Sequence, residues 1–434
     1  MKYFLYVLLC FLYIFGPVFN SIGPLADTIF IVSFALFFYN FLFYKNLIPA
    51  YSRIFFILFP VFFYGTFLIT LYPGVVPSDY LQVLLKPIRI IITLLGGFSL
   101  MILLHKRYKN DSFNVLVEMI FYSIVLHSII MLFQFYNKDF KDFVYLYTTT
   151  GEFRSSFEYD FRMGGLSGTS GGPILSVVQS MGILILPFIL KNSSKIKKIV
   201  TITLGLLIIH SILICGRSGL WSLVLFFPLS IYLVNGKMYI STIVKIFLYI
   251  SILVISLSVL VNFTIKIENP NPLKYSLTRT LSTFINYGET GNFEDETVNT
   301  LVKHILLPSD VSTLIFGNGK HIVDRGFNRT LNSDIGYIKN LWGFGIIAFF
   351  IYLLPLLKYL FISFRHRKAY ASAALLFLVS VIMLFFHLKE LFLYGRMLFS
   401  MYSLSIACFF IYKGSNVQRY NLKQENFINE AGKH

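Results

Sequence analysis

The feature that most constrains this chain is a succession of apolar runs, each long enough to cross a bilayer. About twelve can be marked, near residues 3–20, 27–44, 54–72, 87–104, 113–136, 173–190, 198–214, 218–234, 239–264, 341–362, 370–387 and 391–412. Backbone N–H and C=O groups in hydrocarbon have no water to bond, so segments of this length must satisfy them internally, as helices. The expected fold is all-α, a polytopic integral membrane protein of about 12 transmembrane helices, forming a single domain over residues 1–434. Composition excludes the water-soluble alternative. Of the residues, 56% are hydrophobic and 13% charged, whereas a soluble globule carries about a quarter of its residues as charge. No small-residue cleavage site follows the first run, which reads as a retained helix rather than a signal peptide.

The formal net charge of +17 would suit nucleic acid, but its placement points to the bilayer instead. Lys45 and Arg53, then Lys106, Arg107 and Lys109, then Lys191, Lys195, Lys197 and Lys198 fall in alternate loops. Lys237, the trio Arg365, Arg367 and Lys368, and the tail residues Lys413, Arg419 and Lys423 continue the pattern. Lys and Arg collect on the cytoplasmic side of a membrane, which puts these loops and both termini in the cytoplasm. The short loops between them, 20–27 and 73–85, hold no Lys or Arg, and two long loops, 137–172 and 265–340, fall on the same outer side. Cys10, Cys215 and Cys408 lie far apart in or beside apolar runs, so neither a disulfide framework nor a metal cluster is expected.

Polar chemistry should therefore gather in the outer loops. The stretch from Ile315 to Gly345, IFGNGKHIVDRGFNRTLNSDIGYIKNLWGFG, is the leading candidate for a working site and meets a helix at about Leu341. In the first loop, MGGLSGTSGGP (Met163 to Pro173) suits either close backbone approach to a ligand or an irregular re-entry into the membrane. In the second, Asn292 to Lys303 reads as an amphipathic helix, and its acidic start at Glu294, Asp295 and Glu296 as a solvated N-terminus rather than a metal site.

The informative charges are those that loop alternation leaves unexplained. Lys86 and Arg89 share a face of the fourth helix, and Arg217 opens the eighth after a tight turn at Cys215 and Gly216. Lys389 and Arg396 are expected to share a face of the last helix, with Arg396 about two turns deep. A charge at such depth costs about 2–3 kcal/mol, so it should face a cavity and a partner. Arg154 and Arg162 from the first outer loop and Arg325 and Arg329 from the second extend these into a ring of cations. Such a ring suits a phosphate headgroup, because each guanidinium fork donates two parallel hydrogen bonds. The alternative for any one member is snorkelling to the interface or pairing with a carboxylate. The chain lacks a Walker loop, an Asp-x-Asp pair and a His-Glu-x-x-His motif, which argues against nucleotide-driven chemistry and leaves an already activated, membrane-bound donor.

The helix and loop layout, the GRSG segment at Gly216–Gly219, and FGNG followed by SDIGYIKNLWGFG resemble the O-antigen and capsule repeat-unit polymerases, the Wzy type. These belong to the superfamily that also holds the O-antigen ligases. Members carry an arginine, ten residues and a glycine in each outer loop, a spacing present here as Arg154 to Gly165 and Arg325 to Gly336. The resemblance implies an inverting glycosyltransferase, independent of metal or other cofactor, in a bacterial inner membrane. It would polymerise undecaprenyl-diphosphate-linked oligosaccharide at the periplasmic face, with a chain-length regulator as protein partner and no nucleic acid. By the same analogy Arg154, Arg217 and Arg325 hold and stabilise the diphosphate leaving group; Arg89, Arg162, Arg329, Lys389 and Arg396 are expected to bind it from their placement in the ring of cations. Ser333 and Asp334 stand where ligases carry His-Asn, which favours polymerase over ligase. Asp334 is either the general base or the N-cap of the next helix, and His304 and His321 are alternative bases. His127, in mid-helix, reads as an interhelical hydrogen-bonding residue. The rivals are the ligase and a flippase or transporter of an anionic lipid-linked saccharide, though a transporter should show repeat symmetry and charge in both halves.

Overall fold

A computed structural model describes residues 2–19, 27–44, 48–71, 77–148, 163–170, 172–191, 193–236, 305–319, 333 and 335–431. Among them the chain is helical, apart from irregular connections and a bridge pairing Val18 with Asp27. The helices are α1 (Lys2–Phe15), α2 (Thr28–Tyr44), α3 (Leu58–Thr70, preceded by a 3-10 segment, Ala50–Ile57), α4 (Pro77–Tyr108) and α5 (Ser112–Tyr136). There follow α6 (Lys138–Thr148), α7 (Pro173–Leu184), α8 (Leu186–Leu190), α9 (Lys195–Cys215) and α10 (Ser218–Asn235). Within the second long loop lies α11 (Val311–Phe316), and then come α12 (Gly336–His366), α13 (Ala371–Phe386) and α14 (Arg396–Ala431).

Six helical stretches among the described residues are long and apolar enough to cross a membrane: Ala50–Thr70, Tyr80–Tyr136, Pro173–Leu190, Lys195–Cys215, Ser218–Asn235 and Gly336–His366. The second of these holds both α4 and α5, and Lys2–Phe15, Thr28–Phe43 and Ala371–Phe386 are shorter apolar helices beside them. Helices of this length and composition make the chain a membrane protein. The apolar run at 239–264 lies outside the described residues; each of the others overlaps a helix, though 3–20 and 391–412 extend beyond theirs and 173–190 is split between α7 and α8.

The bundle is built around α14, which is buried on every side from Met397 to Phe409. It packs against α1, α4, α7 and α13, while α4 also meets α2, α3 and α5. Close packing there depends on small residues. A Cβ on Gly96 would stand 2.6 Å from the Cα of Ser33 in α2, and one on Gly97 would stand 2.5 Å from Ser403 Oγ in α14. Lipid tails are as apolar as a leucine, so backbone proximity of this kind, rather than hydrophobic exclusion, holds such helices together. The buried serines Ser33 and Ser99 cost little because each bonds its own helix: Ser33 Oγ donates to the Ile29 carbonyl at 2.6 Å and Ser99 Oγ to that of Leu95 at 2.8 Å.

Contacts sort the helix ends into two groups. At one end Tyr412 Oη donates to the Asn110 carbonyl at 2.5 Å and accepts from the Phe113 N–H at 2.8 Å, Lys191 Nζ reaches the Val234 carbonyl, and Lys197 pairs with Glu118. At the other, Arg396 reaches Gly16 and Asp27, Lys389 reaches Ser218, and the Met163 N–H donates to the Ile214 carbonyl. The first group carries the basic loops and is called the inner end; the second is the outer end. Because the three native cysteines are buried, the orientation can be tested with single added thiols. Asp139→Cys, at the exposed start of α6, should react with a membrane-impermeant maleimide in intact spheroplasts and Lys195→Cys should not. Reversed labelling overturns the assignment of sides.

Two expectations need correction. Lys389 and Arg396 do not share a face of the last helix: α13 ends at Phe386, residues 387–395 form an irregular connection, and α14 starts at Arg396. The helix after the second loop starts at Gly336 rather than near Leu341, and its N-cap position is Ile335, one residue beyond the Asp334 of the capping reading. The first outer loop opens with α6, which buries Tyr145 and Val144.

Candidate functional site

At the outer end the cations Arg217 and Lys389 come from distant parts of the chain to the start of α10. The α9–α10 turn is tight because Gly216 closes α9 in an extended conformation and Arg217 then occupies the N-cap position of α10. Its carbonyl accepts the N–H groups of Leu220 at 3.0 Å and Trp221 at 3.2 Å. Lys389 Nζ donates to Ser218 Oγ, the next side chain along, at 2.8 Å. The start of α7 lies alongside, with Ser176 Oγ accepting the Gly219 N–H at 3.1 Å and its backbone so close that a Cβ on Gly219 would overlap it. Two helix N-termini and two cations therefore converge, an arrangement that favours negative charge.

The glycines that end the two arginine-to-glycine spacings are each seated on a buried histidine. Gly165, at φ +57°, lies so close to the His127 ring that a Cβ would overlap it, and Gly336 lies where a Cβ would stand 2.5 Å from His387 Nδ1. Both rings are fully buried. His127 Nε2 accepts the Leu166 N–H at 3.3 Å, so a neutral ring carries its proton on Nδ1, which faces the Gln179 amide at 2.6 Å. Gln134 grips Gly165 from both sides, its Oε1 accepting the glycine N–H at 2.8 Å and its Nε2 donating to the carbonyl at 3.2 Å. His387 Nδ1 accepts the N–H groups of Phe392 at 3.1 Å and Leu393 at 3.3 Å, leaving Nε2 to face the Asn340 amide at 2.7 Å. That ring thereby supplies acceptors to a non-helical stretch that apolar surroundings would leave unsatisfied, and holds the connection that presents Lys389. In both pairs the amide oxygen must turn toward the ring, an orientation the hydrogen-bond network assigns.

The FGNG segment is bound to the WGFG segment of α12. Gly345 breaks that helix at φ 71°, ψ 171°, which deprives carbonyls one turn earlier of their helical partners. The Asn318 N–H donates to the Trp342 carbonyl at 2.8 Å and the Gly319 N–H to that of Gly343 at 3.0 Å. Tyr64 of α3 closes the joint by donating its hydroxyl to the Phe316 carbonyl. Ahead of the joint Asp310 caps α11, accepting from Ser312 Oγ at 2.5 Å and the Thr313 N–H at 2.9 Å. These bonds, that of Ser312 first, lower its pKa to about 2. The carboxylate cap is therefore in place above the ordinary Asp range of about 4 and is lost as pH falls from there toward about 2.

Arg396 is committed to a strut. Its Nε donates to Asp27 Oδ2 at 2.9 Å, and its second nitrogen to Asp27 Oδ1 at 2.7 Å and the Gly16 carbonyl at 2.6 Å. Asp27 is buried, and Arg89 lies within electrostatic reach of both partners. Of the expected site residues, then, Lys389 reaches Ser218 beside Arg217 at the start of α10, and Arg89 lies within electrostatic reach of Arg396 and Asp27. Arg154, Arg162, Arg325, Arg329 and Asp334 lie outside the described residues, as do His304, His321 and Asn292 to Lys303. Among the described residues no three His, Cys, Asp or Glu side chains gather as a metal site requires. His387, Asn340 and Gln179 were not singled out from the sequence, where a His two residues before Lys389 in an apolar run was the available signal.

Comparisons with family models, curated proteins and solved structures find no match. Function rests on the residues themselves.

Proposed function

We propose that the protein is a membrane glycosyltransferase that polymerises undecaprenyl-diphosphate-linked oligosaccharide repeat units at the outer end of the bundle. The observation that carries this reading is the contact of Lys389 with Ser218, the residue next to Arg217 at the α10 N-terminus. A diphosphate leaving there would gain from two cations and a helix dipole as its charge develops, the kind of preorganised electrostatics that dominates such transfers. In the reaction the acceptor hydroxyl attacks the anomeric carbon, the bond from that carbon to the diphosphate oxygen breaks, and the hydroxyl proton passes to a base. Asp334 is the proposed base, and Arg325 a further leaving-group cation. Arg396, with its fork filled by Asp27, is left out of the diphosphate-binding set. Ser333 and Asp334 in place of the ligases' His-Asn favour polymerase over ligase.

The purified protein in liposomes, given lipid-linked repeat unit and no nucleotide, should produce a ladder of polymer on a gel. Substrate that only crosses the bilayer would instead indicate a transporter. Because the guanidinium fork is what matches a diphosphate, Arg217→Lys should lower the polymerisation rate about a hundredfold, nearly as much as Arg217→Ala. The folded yield of both variants should be unchanged. Full-length polymer from Arg217→Lys at normal expression removes Arg217 from the chemistry.

A further inference from the structure

The segment 305–316, which includes α11, lies beside α3 and α12 below their outer ends. Its depth follows from contacts on α12. Tyr337 Oη donates to the Leu384 carbonyl at 2.7 Å and Asn340 meets His387 at 2.7 Å, so the first turn of α12 is level with the outer end of α13. Trp342 and Gly343 lie farther inward, roughly 5–10 Å from Tyr337 along the helix. Those are the residues the segment touches: Trp342 Nε1 donates to the Leu306 carbonyl at 2.6 Å, and the FGNG joint that ends the segment bonds the Trp342 and Gly343 carbonyls.

At that depth the segment turns apolar side chains outward. Leu307 is 62% exposed, Val311 67% and Phe316 56%. Its neighbours are likewise apolar and exposed, at Phe67 (60%) of α3, Leu71 (63%) just past the end of α3 and Ile347 (55%) of α12. Phe67 and Leu71 are one helical turn apart, a stripe of the kind a spanning helix shows to lipid. Asp310, the fully exposed cap of α11, marks the side that meets water.

We propose that residues 305–316 are an interfacial segment immersed in the outer leaflet, with lipid acyl chains and headgroup carbonyls covering Leu307, Val311 and Phe316. The segment is part of the membrane face and not of a water-exposed cap over the outer end. The inference rests on the membrane reading of the helices and is independent of the glycosyltransferase reading. Its consequence is positional: the joint of FGNG with WGFG sits at the boundary between headgroups and acyl chains, the depth at which an interfacial segment buries its apolar face.

Single cysteines at Leu307, Val311 and Phe350 should be labelled with bimane and each protein reconstituted into phosphatidylcholine vesicles. Quenching is then compared for lipids brominated near the headgroup, lipids brominated near the chain ends, and iodide on both sides of the membrane. Probes at 307 and 311 should be quenched about twofold more by the shallow bromolipid than by the deep one, with little effect of iodide. Quenching of these probes by iodide alone overturns the proposal. So does quenching by neither reagent, which would mean that protein, such as a second copy of the chain, covers the segment. Phe350 is 60% exposed on α12, and its probe separates the two readings: if it escapes bromolipid as well, the membrane placement of the helices fails and the proposal falls with it.

Discussion

Gly345→Ala is expected to abolish recovery of folded protein. The backbone at Gly345, φ 71° and ψ 171°, lies where essentially glycine alone is found, and a side chain there adds about 1–3 kcal/mol of strain. A methyl group would also overlap the Ile315 carbonyl and the Gly317 N–H. The overlap cannot be relieved without prying FGNG off α12 and breaking its bonds of 2.8 and 3.0 Å to the Trp342 and Gly343 carbonyls. Each buried carbonyl left unpaired then costs about 1–3 kcal/mol. Together these approach the whole stability of a typical fold, about 5–15 kcal/mol. Gly317→Ala should fail in the same way, since its Cβ would stand 2.5 Å from Gly345 N and Phe344 C. Gly236→Ala is the control: its φ is also +71°, but nothing lies within 4 Å of the added atom, so only the conformational cost of about 1–2 kcal/mol applies. Size-exclusion in mild detergent should show near-normal monodisperse protein for Gly236→Ala and essentially none for the other two, at least a tenfold difference, which corresponds to about 1.4 kcal/mol or more. Equal yields from Gly345→Ala and Gly236→Ala would mean that the joint does not hold the fold.

Those glycines show what could and could not be read from the sequence. Helix positions were legible because apolarity over a spanning length is a local signal that hydrocarbon enforces. The start of α10 at Arg217 was legible too, since Cys215 and Gly216 leave no room for a longer turn. The run 391–412 misled for the converse reason. LFLYG is apolar enough to continue a helix, yet Tyr394 adopts φ 57° and the backbone around it is satisfied by His387, several residues upstream. Nothing local announces such a partner. The same holds for Gln179 reaching His127 across helices, and for FGNG finding carbonyls that only a break at Gly345 exposes. Glycine spacing pointed to Gly165 and Gly336 as special, but the reason, a histidine ring under each, is tertiary.

Removing the Asp27 carboxylate should destabilise the protein more than removing either neighbouring cation. Asp27→Asn leaves Arg396 and Arg89 facing one another at the outer end with their shared counter-charge gone. Breaking one side of a buried pair costs about 3–5 kcal/mol, and the lower end applies because the Arg396 side chain keeps a quarter of its surface exposed. Arg396→Met should cost less, because Asp27 retains Arg89 within reach. The double variant Asp27→Asn with Arg396→Met should be more stable than Asp27→Asn alone, since replacing both members of such a pair by uncharged groups is often neutral. Arg396→Lys should not substitute, because one ammonium cannot hold both Asp27 oxygens and the Gly16 carbonyl as the planar fork does. Thermal unfolding of the four variants in detergent tests the order, and additive losses in the double variant would show that the two residues do not act as a pair. Turnover separates strut from substrate ligand: per folded molecule, Arg396→Met should polymerise at near the wild-type rate. A hundredfold loss with normal folding would return Arg396 to the diphosphate site.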